Sequence, residues 1–231
     1  MRLFLLYVGA ACASAWGCAT APPPVPSEVA LMLTPRPEEG CDFERPDREI
    51  ALAISTDRTE PIVRNRGSGQ PTTSTYMVRN AQLMRQPTAG DQLCLTVLRG
   101  PTMRHKVAVY GFDVRFLDPF QAEITPAYSR LDQPLFGQRG AGDVNVSVAF
   151  VAGRQTATER QLSAGASFDL GPVARPGTRR SGQAAILDLP EARTTSTTRL
   201  GVIVREAGAG QSSVIPADLM EQALTDGVRP D

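Results

Sequence analysis

The 231-residue sequence contains one lysine, Lys106, one histidine, His105, and one tryptophan, Trp16. With a single imidazole, every triad or general-base scheme built on histidine must pass through His105, and no G-x-S-x-G elbow is present to accompany it. His105 stands between Arg104 and Lys106 at the edge of an apolar run and reads as an exposed loop residue. A zinc site is disfavoured for the same reason, since no C-x-x-C spacing occurs. Net charge is also missing: 24 basic residues balance 24 acidic ones. The basic residues are spread along the whole chain, so no patch forms to neutralise phosphates and no nucleic-acid partner is expected. Gly208-Ala209-Gly210 lacks the third glycine and the βαβ context of a nucleotide fingerprint, and no cofactor is expected. No apolar run reaches the roughly 20 residues that a membrane-crossing helix requires.

What the sequence does have begins at its amino terminus. Arg2 precedes the apolar run from Leu3 to Val8, and small residues from Gly9 to Ala15 follow it. A charged start, a short apolar centre and a small-residue exit form a secretory signal, expected over residues 1–17. The segment from Ala15 through Trp16, Gly17 and Cys18 to Pro24 resembles a bacterial lipoprotein processing site, in which the cysteine is acylated and becomes the first residue. The resemblance implies lipid on Cys18 and, because Ala19 is not aspartate, an outer-membrane destination. Cleavage after Ala13 or Ala15 by an ordinary signal peptidase stands as the alternative, since both complete an Ala-x-Ala pattern. Residues 18–40 are proline-rich and read as an extended tether.

Four cysteines occur. Cys12 falls in the expected leader and Cys18 is the candidate lipid site, which leaves Cys41 and Cys94. In an oxidising compartment two leftover cysteines pair with each other, so a Cys41–Cys94 disulfide is expected.

Residues 41–231 read as a single β-rich domain. Hydrophobic residues make up 42% of the chain, enough to offset the entropy of ordering a core. Short β-rich runs separated by Gly, Pro and Asp predict antiparallel strands. Lys106–Leu117 is the clearest, with Ala108, Tyr110, Phe112, Val114 and Phe116 on one face, and Val144–Phe150 repeats the alternation. Six weaker runs, at 49–55, 75–84, 93–98, 161–170, 184–189 and 199–205, bring the expected strands to eight, which suits an antiparallel β-sandwich or jelly roll. Turns are expected at Ala89-Gly90-Asp91 and Arg99-Gly100-Pro101, and longer loops at 65–74 and 172–182. Beyond Ser213, Leu219, Met220, Ala223 and Leu224 share one face at helical spacing after Pro216, predicting one short carboxy-terminal helix laid on the β core.

Phe120 and Tyr128, beyond Pro119, fall outside the inward phase of the preceding strand and are the candidates for exposed contacts. The function expected from these readings is that of an exported, lipid-anchored cell-envelope protein. It would be a structural, adaptor or assembly component of a surface or secretion complex in the periplasm or outer membrane of a Gram-negative bacterium, with other envelope proteins as partners. Alternatives are a glycan- or peptide-binding module and a hydrolase using acidic residues. Intact mass of the membrane fraction tests the leader: a chain beginning at Cys18 with added acyl mass is expected, and an unacylated chain beginning at Ser14 or Trp16 would sink the lipoprotein reading.

Overall fold

A computed structural model describes residues 27–45, 54–59, 73–82, 87–100, 106–132, 144–155, 160–173, 177–179, 182–189, 197–208 and 211–223. Cys18 and His105 lie outside the described residues. The described strands are β1 (Ser27–Pro35), β2 (Ile54–Thr59), β3 (Thr73–Gln82), β4 (Gln92–Gly100), β5 (Ala108–Asp118), β6 (Gln121–Leu131), β7 (Val144–Gln155), β8 (Arg160–Val173), β9 (Thr178–Arg179), β10 (Ala185–Asp188) and β11 (Thr197–Ala207). One short helix, α1 (Ala217–Gln222), follows.

The fold is the expected antiparallel β-sandwich. One sheet runs β10-β6-β5-β4-β1-β2, with β9 also paired to β6, and the other runs β3-β11-β7-β8. β2 packs beside β3 and β10 beside β8, so the two sheets meet at both edges. Between them lies the main core, built by the alternation legible in the sequence. Tyr110, Phe112 and Phe116 of β5 face Val146, Val148 and Phe150 of β7 and Val202 and Val204 of β11, all buried. Phe112 meets Phe150 edge-on with ring centroids 4.9 Å apart, a favoured aromatic geometry.

The structure corrects the sequence reading in several places. Residues 27–35, read as part of the tether, form β1, hydrogen-bonded between β2 and β4. Flanking prolines disguised it, as did the near-continuous apolar run Val29-Ala30-Leu31-Met32-Leu33, which belongs to a strand covered on both faces. Strand β6 was not anticipated, because Pro126 interrupts it. The ladder accommodates that proline with a bulge: Gly111 pairs with Tyr128 and Phe112 with Pro126, leaving Ala127 as the extra residue. Arg99 and Gly100, assigned to a turn, instead complete β4, and the expected loops lose Thr73 and Ser74 to β3 and Pro172 and Val173 to β8. The Ala89-Gly90-Asp91 turn is present, with Gly90 at φ 89°, a value that favours glycine.

Both outer faces carry a cover. On the β3-β11-β7-β8 sheet, Leu219 and Ala223 of the helix region join Met77, Ala149, Val151, Ile203 and Ile215 in a second apolar cluster. Gly201 makes this close approach possible, since a Cβ there would lie 2.7 Å from Ala223 Cβ. Pro216 caps the helix in an extended conformation, one residue before the first-turn position expected for it. On the other sheet, residues 36–45 leave the end of β1 and turn at Gly40, whose φ of 96° and hydrogen bond to the Pro37 carbonyl reverse the chain. Phe43 is thereby laid over the face of β5 at Gly111, where a side chain would occupy the space of its ring.

Candidate functional site

Two groups of polar side chains are chemically distinctive, one sealed in the core and one open at the surface. The sealed group joins the sheets. Arg99, in phase with Leu93, Leu95 and Val97 of β4, points into the core, and so does Glu206, in phase with Leu200, Val202 and Val204 of β11. Arg99 Nε donates to Glu206 Oε1 and Nη2 to Oε2, both at 2.8 Å, and the Tyr110 hydroxyl donates to Oε1 at 2.8 Å. The Arg99 guanidinium carbon also sits 4.5 Å above the Tyr76 ring centroid, a cation–π contact. Arg99 is 3% and Glu206 0% exposed.

Burial raises the Glu206 carboxyl above its ordinary range, while the guanidinium and the Tyr110 hydroxyl pull it back. It raises the Tyr110 hydroxyl well above the ordinary tyrosine value and pushes Tyr76 up to about 12, the Glu206 charge adding to both shifts. All four side chains are buried, and the cluster acts as a clasp between the sheets.

The open group forms around the disulfide. Cys41 and Cys94 are bonded, with α-carbons 5.7 Å apart, as the cysteine count predicts. Cys94 is on the outer face of β4 opposite Asp113 of β5, and Cys41 comes from the segment laid over that face. Beside the bridge is a notch of about 230 Å³, lined by Arg36, Glu39, Cys41, Asp42, Glu44, Asp113 and Tyr128 among others. Asp113 Oδ1 stands 3.2 Å from Cys41 Sγ, and Asp113 Oδ2 stands 3.9 Å from Arg36 Nη2. The Glu44 carboxylate accepts from Tyr128 and pairs with Arg130. Tyr128 is pushed up to about 12, by burial first and then by that carboxylate. Its ring stacks on Phe43 at 6.1 Å.

Of the residues singled out in the sequence, Cys41 and Tyr128 line this notch, and Cys94 is buried behind it, bonded to Cys41. Phe120 does not line it. It is 40% exposed in the β5–β6 turn, eight residues before Tyr128 along the chain. Tyr128 is half-buried, so of the two contact candidates only Phe120 presents an open ring. Sequence reasoning missed Arg99, Glu206, Glu44 and Arg36. For the first two a signal existed, since each continues the period-2 phase of an apolar strand by one further inward position. For the other two there was none, because their neighbours come from distant segments.

Among the described residues, no three His, Cys, Asp or Glu side chains converge as metal ligands, and no helix is long and apolar enough to cross a membrane. Comparison of the chain with protein-family models, curated proteins and solved structures returned no match.

Two predictions follow from the clasp. Glu206→Leu or Arg99→Met alone leaves a buried charge without its counter-ion and is expected to cost about 3–5 kcal/mol in urea unfolding. Arg99→Met, Glu206→Leu and Tyr110→Phe combined should recover most of that loss, and strictly additive penalties would contradict a shared clasp. The second concerns alkali. Because the buried Tyr76 and Tyr110 hydroxyls hold their protons above the unfolded value of about 10, the unfolded chain releases them first. The tyrosines' contribution to stability should therefore be level below about pH 10 and fall from there towards pH 12, by up to roughly 1.4 kcal/mol per pH unit for each tyrosine. Denaturant midpoints followed alongside tyrosinate absorbance measure this; Tyr76→Phe and Tyr110→Phe should flatten the decline, and a rise across the window would contradict the burial of these groups.

Proposed function

We propose that this protein is an exported, lipid-anchored component of the bacterial cell envelope that works as a structural or adaptor module in a larger assembly. The observation that carries the reading is the Cys41–Cys94 disulfide, which fastens residues 36–45 onto the face of a sheet. Such a staple forms and persists in an oxidising compartment, which the signal-like amino terminus would reach. The adaptor role draws support from Leu117 and Phe120 at the β5–β6 turn and Ile186 of β10, each 40–45% exposed. Exposed large apolar side chains are material for protein contact.

A second reading, a module that binds peptides or glycans, draws on the notch at Tyr128, whose four carboxylates suit a cationic group. Fractionation with thiol trapping separates these readings from a cytoplasmic role. Membrane-associated protein with Cys41 and Cys94 oxidised is expected, migrating in mild detergent as part of an assembly larger than the monomer. Ile186→Ser with Phe120→Ser should shift it towards the monomer without changing its melting temperature. A soluble cytoplasmic protein with reduced cysteines would overturn the export reading, and a native monomer would overturn the adaptor role.

A further inference from the structure

We infer that the acidic rim of the notch is an electrostatic guard on the Cys41–Cys94 disulfide, slowing its reduction by anionic thiols and favouring cationic ones. The two sulfurs are unequally accessible. Cys94 is 4% exposed and packs among Ala30, Phe43, Leu98 and Val109, whereas Cys41 is half-buried and lines the notch. An attacking thiolate therefore reaches Cys41 Sγ, and its path crosses a surface bearing Glu39, Asp42, Glu44 and Asp113; among the described residues the guanidinium of Arg36 faces Asp113 and that of Arg130 pairs with Glu44, which leaves Glu39 and Asp42 without a cationic partner there.

Asp113 is the nearest of these, 3.2 Å from the sulfur under attack. Its backbone is held in register opposite Cys94 in the ladder, which keeps the side chain on the face that carries the disulfide. Arg36 offsets it only in part, at 3.9 Å and with both side chains 39% exposed to solvent. A negative thiolate approaching within a few ångströms of this group meets unfavourable Coulomb energy, and a positive substituent on the thiol relieves it.

The exchange itself has two steps. A thiolate RS⁻ attacks Cys41 Sγ, forming an R–S–Sγ bond as the Sγ–Sγ bond breaks and the electron pair leaves on Cys94 Sγ. That leaving thiolate is generated among apolar side chains and opposite the Asp113 carboxylate, where negative charge is poorly solvated. A second RS⁻ then attacks the R sulfur of the mixed disulfide, releasing RSSR and the Cys41 thiolate. Two small thiols are oxidised, the protein disulfide gains two electrons, and both cysteines take up protons from water. The rim and the buried leaving group both act on the first step.

The inference is independent of the envelope role and is tested on the oxidised full-length protein with three thiols of similar size: anionic mercaptoethanesulfonate, neutral mercaptoethanol and cationic cysteamine. Reduction is followed by acid quench, alkylation and mass mapping of Cys41 and Cys94, and rates are normalised to thiolate concentration. At low salt the anionic thiol is expected to react about threefold or more slowly than the neutral one, and the cationic thiol faster by a similar factor. The spread should collapse in about 1 M salt, where the screening length is about 3 Å.

Asp113→Asn should narrow the spread. Should that variant prove misfolded, as read from its urea midpoint with the disulfide intact, the exposed Glu39→Gln provides the same comparison. Equal normalised rates for the three thiols would overturn the inference. A spread insensitive to salt and to both substitutions would do so too, as would a rate independent of thiol concentration, which would mean that reduction waits for unfolding.

Discussion

Arg99 and Glu206 each occupy a core-facing position on a different sheet, and in the apolar interior neither charge has enough water to sustain it alone. Each sheet thus carries a group whose desolvation is offset only when the other sheet is docked in one register, with Glu206 brought within 2.8 Å of Arg99 and Tyr110. The apolar residues around them, Val29, Val97, Val146 and Val204, would tolerate small slips between sheets. The bidentate guanidinium–carboxylate geometry would not, because sliding by one residue would put a charge against hydrocarbon. The clasp is thus an argument for specificity of docking more than for gross stability, which the aliphatic and aromatic burial supplies.

Once the sheets are docked, their outer faces are the remaining problem, since several strands are apolar on both sides. The molecule solves it twice, with a short helix on one sheet and an irregular segment on the other. Each cover approaches the sheet where a glycine removes the obstacle, Gly201 under the helix region and Gly111 under Phe43. The helix rests on apolar contact. The irregular segment has little regular hydrogen bonding of its own, and it is held by the disulfide, by Phe43 and by the pairing of Glu44 with Tyr128 and Arg130. Covering the sheet in this way places the Cys41 sulfur beside a row of carboxylates, so the same segment that completes the fold creates the notch.

Among the described residues, one sheet presents two different kinds of surface to solvent: the acidic notch at the disulfide, and the exposed apolar side chains of the β5–β6 turn and β10. The first is suited to sorting by charge and the second to apolar contact. The buried clasp, although it holds the most strongly perturbed groups, faces neither.

By itself the sequence determined the fold class, the inward faces of β5 and β7, the partnership of Cys41 with Cys94 and the short terminal helix on the β core. These are properties of local alternation, of helical spacing and of a count, and they survive without knowledge of neighbours. It came within one residue of the clasp: the apolar runs 93–98 and 199–205 stop just short of Arg99 and Glu206, because a charge in phase with hydrophobic residues looks like the end of a strand until its counter-charge is known. Only the tertiary structure decided that these two charges meet, that residues 27–35 are a central strand and no tether, and that Glu44, Asp113 and Tyr128 share one notch. Each of those outcomes depends on which distant segment supplies the other half of an interaction: the counter-ion for a buried charge, the cover for a second apolar face, the wall of a cleft. Periodicity along one strand carries no information about that partner.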